Sequence, residues 1–336
     1  MTVASGRRRR YATGAAAILV TLAVVLVLSL AVGANPLSPA VVFDTLRGGG
    51  DAESQYVVGL RVPRTVTGIA AGVALGIAGA LIQAFTRNPL ADPGILGVNA
   101  GAAFAVAAGV AFLGLRDITA FVWPAFLGAL VVTLAVYVIG SSGRGAADPI
   151  RLTLAGVAIG AVLSGITTGL TLSNPDAFDS MRGWNAGSLL GRDFGVLLPV
   201  LPFLLAGIGI AVAVAPGLNA LALGDDVARA QGADVAAIRV AVIAAVTLLC
   251  GTATALAGPI SFVGLMVPHA ARWLFGVDQR VILGVSMLLA PIVVLLADVI
   301  GRVLIAPAEM PVGIVTAFVG APVLILLARR RKAAGL

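Results

Sequence analysis

The sequence predicts an all-α membrane protein that crosses the bilayer about ten times. Lys and Arg total 22 and Asp and Glu total 15 among 336 residues, so only 11% of positions are charged. Soluble domains carry about 25%. Hydrophobic residues reach 60%, and the mean hydropathy is +1.07. The composition excludes an ordinary soluble enzyme and a disordered protein. The single cysteine, Cys250, also excludes a disulfide scaffold.

The first predicted span is the apolar segment 15–32, which follows the basic run Arg7-Arg8-Arg9-Arg10. A basic flank before an apolar segment is also typical of a signal peptide, and Val32-Gly33-Ala34 fits a cleavage site. The segment is longer than a usual signal-peptide core, and many further spans follow it. These features favour an uncleaved helix, with residues 1–14 forming a basic N-terminus.

Nine further apolar segments have about the length that a spanning helix needs. They are residues 63–86, 95–114, 118–140, 152–173, 195–215, 237–257, 259–275, 281–300 and 312–328. Segment 259–275 is the weakest, because prolines interrupt it. The pairs Gly72 and Gly76, and Gly156 and Gly160, have the small-residue spacing that lets helices pack closely in lipid. We therefore expect one transmembrane domain over residues 15–330 and a short tail at 331–336.

The positive charges predict how the protein is oriented. With ten spans, fifteen of the 22 basic residues lie on the N-terminal side of the membrane. They are Arg7, Arg8, Arg9, Arg10, Arg87, Arg144, Arg151, Arg229, Arg239, Arg272, Arg280, Arg329, Arg330, Arg331 and Lys332. An excess of Lys and Arg marks the cytoplasmic side. Both termini are therefore expected in the cytoplasm, and the net charge of +7 reflects topology rather than nucleic-acid binding.

The largest break between spans on this side covers about residues 217–236. Its pattern predicts two short helices: Asp225 can cap the first, Gly232 can end it in a left-handed conformation, and Asp234 can cap the second. Asp226 favours the first turn of the first helix. The residues alone leave two interpretations open, a cytoplasmic site for a partner protein or a solvated loop.

The sequence contains few groups that could supply energy or perform catalysis. The single lysine is Lys332, so no P-loop is present and ATP hydrolysis by that route is excluded. A proton- or sodium-coupled transporter needs acids at mid-membrane depth. Asp298 is the one candidate, and an i,i+4 pair with Arg302 is the simpler explanation for it. An intramembrane enzyme would need clustered acids, His or Lys at one membrane face, and we find no such cluster.

Several ordered motifs resemble one family over residues 57–330. They are Arg61-Val62-Pro63-Arg64, Arg87-Asn88-Pro89-Leu90, Ala222-Leu223-Gly224-Asp225, Gly258-Pro259-Ile260-Ser261 and Ala308-Glu309-Met310-Pro311. The chain is identified by this resemblance as a member of the FecCD-type permeases. These are the membrane subunits of ABC importers for iron–siderophores, haem and cobalamin.

The resemblance implies a vitamin B12/siderophore importer permease-like fold, that of a type II ABC importer, in a bacterial inner membrane. The implied partners are a second permease subunit (identical or paralogous), two ATPase subunits and an extracytoplasmic substrate-binding protein. ATP and Mg would be used by the ATPase, and this chain would bind no cofactor because the iron stays inside its chelator. Segment 184–192 resembles the siderophore members and favours a ferric siderophore; haem and cobalamin remain alternatives.

The resemblance also implies roles for residues at the two ends of the bundle. Arg61, Arg64 and Arg302 match arginines that dock the binding protein, although arginines at helix ends also serve as interfacial anchors. The positions that match the ATPase-coupling loop are Gly224, Asp225, Asp226, Ala228, Arg229, Gly232 and Asp234.

Two further sets of residues are implied along the pathway. The turn beginning at Asp148 would form a cytoplasmic gate at Pro149, Ile150 and Arg151, or it is a plain proline turn. The hydroxyl residues expected to line the pathway are Ser164, Thr167, Thr168 and Thr316. The alternative for these hydroxyls is that they bond to carbonyls of their own helices.

Overall fold

The computed structural model describes residues 2–142 and 149–334, with side chains for 11–142, 149–326 and 329. The helices in chain order are α1 (Thr2–Ala31), α2 (Pro39–Leu46), α3 (Ala52–Thr86), α4 (Val98–Leu113), α5 (Ile118–Gly140), α6 (Pro149–Ser173), α7 (Pro175–Trp184), α8 (Phe194–Leu197), α9 (Leu201–Ala222), α10 (Asp225–Ala230), α11 (Val235–Ala257), α12 (Val263–Phe275), α13 (Gln279–Leu304) and α14 (Val312–Ala334). Arg144 and Asp148, the side chains of Arg7 to Arg10, and those of 331–336 lie outside the described residues.

Helix α3 forms the centre of the bundle and packs against α11, α12 and α13. Its buried face includes many small residues, among them Ala71, Ala74 and Ala78, which are fully buried. A Cβ atom at Gly72 would lie 2.7 Å from the backbone of Pro291 in α13. Side chains of this size let the helix axes approach closely, so dispersion contacts replace the hydrophobic effect that is absent in lipid.

The glycine spacing correctly predicted close packing at three of the four positions. A Cβ atom at Gly76 would lie 2.6 Å from the Ser286 carbonyl oxygen, and one at Gly156 would overlap the carbonyl of Ile95. Gly160 differs, because its nearest neighbour would be the Ala100 side chain at 3.8 Å. The prediction of close packing at Gly160 is therefore wrong, since no backbone approaches that point of α6.

Among the described residues, seven helices are long and apolar enough to span a membrane. They are α1 from Tyr11, α3, α5, α6, α9, α11 and α13. Helix α4 is apolar but shorter, and α12 has 13 residues. Helix α14 has 23 residues, and its described side chains form an apolar stretch over Val312–Leu326. Each of the ten predicted segments overlaps a helix, and seven of these helices are long and apolar enough, over their described residues, to span a membrane.

One predicted segment has the wrong boundaries. The segment 195–215 corresponds to two helices, because Asp193 caps the short α8 at Val196 N (3.1 Å) and α9 starts only at Leu201. Pro202 then fits the first turn of α9, where no amide hydrogen is needed, and α9 continues through Pro216 to Ala222. At the ends of the chain, α1 and α14 continue across residues 14 and 330. The predicted limits of the membrane domain at these residues stay a prediction, because a helix can extend beyond the bilayer.

Candidate functional site

Two groups of charged side chains lie at opposite ends of α3. Arg61 and Arg64 lie in its third and fourth turns, and Arg87 directly follows its last residue. Arg64 and Arg87 are 23 positions apart, which is about 35 Å of α-helix and close to the thickness of a bilayer. We call these groups the outer cluster and the loop cluster, and α3 connects them.

The outer cluster is centred on Asp298 of α13. Arg64 Nη2 donates to Asp298 Oδ1 at 2.7 Å, and Arg64 Nη1 donates to Glu309 Oε2 at 2.7 Å. Arg302 also donates to Asp298, which confirms the predicted i,i+4 pair. Asp298 and Arg302 are each 2% exposed. The acid is therefore a structural counter-ion for two buried cations.

The same arginines hold the C-terminal end of α1. Arg61 donates to the carbonyl oxygens of Leu30 (2.8 Å), Ala31 (3.1 Å) and Asn35 (2.7 Å). Arg302 Nη1 donates to the carbonyl of Ser29 at 2.6 Å. The last carbonyls of a helix lack intrahelical donors and carry partial negative charge. Two guanidinium groups therefore satisfy the end of α1 and fix it against α3 and α13.

These contacts bear on the docking role predicted for the three arginines. Arg61, Arg64 and Arg302 line a cavity of about 540 Å³ at this end of the bundle. Their guanidinium groups are nevertheless engaged within the chain, so an external carboxylate would have to compete with Asp298, Glu309 or the α1 carbonyls. Docking by these residues stays a prediction. The alternative, anchoring of helix ends, describes the contacts of Arg61 and Arg302.

The loop cluster fixes α10 through Asp225. Arg239 Nη2 of α11 donates to Asp225 Oδ2 at 2.7 Å, and Arg87 donates to Asp225 Oδ1. Arg87 Nε also donates to the carbonyl of Leu221 at 3.0 Å. The prediction that Asp225 caps α10 is therefore wrong: Gly224 occupies the cap position at φ 110°, and no side chain caps the helix. The carboxylate instead joins α10 to α3 and α11.

Two further local predictions for this loop are confirmed by its geometry, while its ATPase-coupling role stays a prediction. Gly232 has φ +81°, in the left-handed region. Asp234 caps α11 by accepting the amide of Ala237 at 3.0 Å. Both devices are local in sequence, which is why residue type and spacing alone predicted them.

Helix α10 has an inner and an outer face. Ala228 is fully buried and packs with Leu221 and Val235. Asp226 is fully exposed, Arg229 is 56% exposed, and their side chains pair at 3.2 Å. The helix is therefore held to the bundle on one side and presents a charged surface on the other.

The sequence reasoning assigned no contacts to Arg87, Arg239 or Gln83. Arg87 was quoted in a family motif and counted with Arg239 as a topology signal, although both bind Asp225. Gln83 donates to the carbonyls of Gly264 (3.1 Å) and Leu265 (3.2 Å) and accepts from Arg272, which joins α3 to α12. An amide inside an apolar helix is a usable signal, because burial in lipid requires it to find partners.

The predicted gate lies at the start of α6. Pro149 is the first residue of the helix, Ile150 is 69% exposed, and Arg151 Nη1 donates to the Ser142 carbonyl at 3.4 Å. Pro149 and Ile150 line a cavity of about 300 Å³ that also contacts the loop after α3. The gating role stays a prediction.

The four predicted pathway residues divide into two groups. Ser164 and Thr168 are exposed on α6, while Thr167 is buried. Thr316 is only 1% exposed and donates to the Gly313 carbonyl at 3.0 Å. Thr168 likewise donates to the Ser164 carbonyl at 2.8 Å. The hydroxyls of Thr168 and Thr316 therefore bond to their own helices, and Thr316 faces the interior of the chain in this conformation.

A mostly apolar cavity of about 640 Å³ lies along α14. Phe262, Phe318, Pro322 and Ile325 contribute to its lining, with Asn185 as a polar member. The cavity is a better candidate for the pathway surface than the threonine hydroxyls. Asn185 and Ser261 lie in segments that the family resemblance identified, whereas Phe318 and Ile325 were not singled out, because apolar side chains on an apolar helix carry no distinguishing pattern.

Comparison with known sequences identifies relatives across nearly the whole chain. The family model described as "FecCD transport family" matches residues 21–330. The ferric enterobactin transport system permease protein FepD of Escherichia coli (strain K12) is 49% identical over 320 residues, 95% of each chain. The probable siderophore transport system permease protein YfiZ of Bacillus subtilis (strain 168) is 41% identical over 84% of each chain. The cobalamin import system permease protein BtuC of Halobacterium salinarum is 36% identical over 83% of this chain and 75% of its own.

Comparison with solved structures gives the same result for the fold. A metal-chelate type ABC transporter in an inward-facing conformation matches with a TM-score of 0.82 and 27% identity, over 94% of this chain and 98% of its own. PsaBC from Streptococcus pneumoniae matches the fold with a TM-score of 0.61 and 18% identity, over 85% of this chain and 94% of its own. The sequence motifs, the helical bundle and both comparisons agree: this chain belongs to the FecCD transport family.

Proposed function

We propose that the chain is the permease subunit of an ATP-driven importer that moves ferric siderophores across a bacterial inner membrane. The observation that carries the proposal is the 49% identity to a ferric enterobactin permease over 95% of both chains. Identity at this level over the full length covers both clusters and the cavity along α14, rather than one shared motif.

The partners follow from the same proposal. A second permease subunit would complete the pathway. Each of the two ATPase subunits would bind the exposed face of α10 of one permease, where Asp226 and Arg229 lie. A binding protein would deliver the chelate from outside. The chain would cross the membrane ten times with both termini in the cytoplasm, as the arginine distribution favours.

The mechanism depends on how α10 is attached. ATP-driven movement of the ATPase would displace α10, and the ion pairs of Asp225 with Arg87 and Arg239 would pass the displacement to α3 and α11. Because α3 continues to the outer cluster, both membrane faces would respond together. The chelator supplies the ligands of the iron, so the cavity needs only a surface over which a large complex can pass.

A second substrate class is supported by one relative. The cobalamin permease of Halobacterium salinarum is 36% identical to this chain, against 49% for the enterobactin permease. The higher identity favours a ferric siderophore.

A competition experiment distinguishes these substrates. The chain, its ATPase and its binding protein are reconstituted in liposomes, and uptake of radiolabelled ferric enterobactin is measured with excess unlabelled ferric enterobactin, ferric citrate, haem or cobalamin. We expect saturable uptake that only catecholate siderophores suppress strongly. Suppression by cobalamin alone, or no ferric siderophore uptake, would contradict the proposed substrate.

A further inference from the structure

The cavity of the outer cluster contains a fourth arginine, Arg192, from the loop between α7 and α8. It is 6% exposed, and its Nε donates to the Ser188 carbonyl at 3.2 Å. The adjacent Asp193 accepts the amide of Val196 and so caps α8. Among the residues that the structure describes, Arg192 makes no ion pair, whereas Arg64 and Arg302 are both paired with Asp298.

The loop that carries Arg192 is fixed to three parts of the bundle. Ser188 N donates to the Ala257 carbonyl at the end of α11 (2.7 Å), and Gly187 accepts from Gly313 N of α14 (2.9 Å). Gly187 also has φ +66° and lies so close to Pro259 that a Cβ atom would lie against its carbonyl. The guanidinium group of Arg192 is therefore held in place before any ligand arrives, which lowers the entropic cost of binding one.

The surroundings of Arg192 fit an anion. Four arginines but only two carboxylates, Asp193 and Glu309, line the cavity. Burial without a compensating acid lowers the pKa of Arg192 to about 10, so it remains charged at neutral pH but is poorly solvated. A planar guanidinium group in this state binds a carboxylate in bidentate fashion.

We infer that Arg192 receives an Asp or Glu side chain of the docked substrate-binding protein, in addition to any contact made by Arg61, Arg64 or Arg302. This inference rests on the proposed function. The cavity shares no lining residue with the apolar cavity along α14, and its lining carries six charged side chains where the other carries none. This difference in lining favours the protein partner over an anionic chelate as the source of the carboxylate.

The test measures the affinity of the binding protein for the permease–ATPase complex in nanodiscs. Arg192→Gln is expected to weaken binding about thirtyfold or more, because it removes one partner of a desolvated charge pair. Arg192→Lys should recover part of the loss, since it restores the charge but not the bidentate geometry. The matched control is Arg116→Gln, which removes the same charge from an exposed pair with Asp176 and should change affinity less than about twofold.

A second variant avoids any effect on folding. Leu190 lines the same cavity and is 54% exposed, and the native Cys250 is buried. Leu190→Cys labelled with a bulky maleimide should therefore block docking with Arg192 unchanged. Unaltered affinity in this labelled protein, or in Arg192→Gln, would overturn the inference.

Two outcomes separate this inference from the proposed function. If Arg192→Gln leaves the affinity of the binding protein unchanged but slows uptake at saturating binding protein, the anion is the chelate and the inference is wrong. If the unmodified complex takes up no ferric siderophore, the proposed function fails instead.

Discussion

At the scale of single residues, buried charge is the main specific feature of this otherwise apolar chain. Asp298 is 2% exposed and neutralises Arg64 and Arg302. The desolvation cost of such a group is large, and removing one member leaves another charge unpaired. The outer cluster is therefore a site where one neutral substitution has a large effect on stability.

Asp298→Asn is expected to destabilise the protein by about 3–5 kcal/mol, because two buried guanidinium groups lose their shared counter-ion. The matched control is Asp176→Asn, which breaks the exposed pair with Arg116 and should cost less than about 1 kcal/mol. Thermal unfolding in detergent measures both. Equal melting temperatures for the two variants would contradict the assignment of Asp298 as a structural counter-ion.

Local sequence explains only part of this cluster. The Asp298–Arg302 pair could be predicted because its members are four residues apart on one helix. The bond from Arg64 to Glu309 joins residues 245 positions apart, and no spacing rule reaches that far. The arginines themselves were identified by motif, but their partners required the packing of α3 against α13.

At the scale of elements, α10 depends on contacts outside itself. It has six residues and no side-chain cap, and isolated helices this short are unstable in water. Its position is set by Asp225 and by the burial of Ala228. The sequence predicted a helix here but assigned Asp225 the wrong partner, because a capping pattern is local and Arg87 lies 138 residues away.

Asp225→Asn should reduce ATP-dependent uptake strongly while the ATPase subunits still bind, because the variant loosens α10 from α3 and α11 without altering its exposed face. Asp226→Arg is the complementary variant, on the exposed face, and should weaken ATPase binding itself. Co-purification and uptake in liposomes measure the two effects. Normal uptake and normal ATPase binding in both variants would contradict the coupling role of this loop.

Close helix packing provides a second test on α6. Gly156→Ala should destabilise the protein by about 1–3 kcal/mol, because the added methyl group overlaps the Ile95 carbonyl in a tightly packed contact. Gly160→Ala adds the same group one turn later, where the nearest neighbour is 3.8 Å away. That control should be neutral or slightly stabilising, since alanine favours the helix. Similar losses at both positions in a thermal unfolding assay would show that the packing of α6 differs.

At the scale of the whole molecule, the arginine distribution predicts which face is cytoplasmic. Gln231, next to α10, and Asp179, in α7, are both exposed and lie on opposite predicted sides. In the chain without its partners, Gln231→Cys should react with a membrane-impermeant maleimide only after the cells are opened. Asp179→Cys should react in intact cells, and the buried Cys250 should add little background. The reverse labelling pattern would show that the chain has the opposite orientation in the membrane.

The whole architecture could be predicted from composition and ordered motifs better than any single contact. Apolar segments and the prolines between them predicted where the helices lie, because in lipid the backbone groups of a segment must form their hydrogen bonds within that segment. Helices α4 and α12 are too short for a simple length criterion, so the count of ten spans that the apolar segments predict stays a prediction. Cavities such as the one along α14 depend on which apolar faces remain uncovered, and composition does not encode that.

The central claim is that energy for transport comes from another chain. Its most direct test is uptake of ferric siderophore into liposomes containing this chain, with and without its ATPase, under ATP or under an imposed proton or sodium gradient. We expect uptake only when the ATPase, ATP and the binding protein are all present, and none from a gradient alone. Gradient-driven uptake by the chain without its ATPase would contradict the account and identify a secondary transporter.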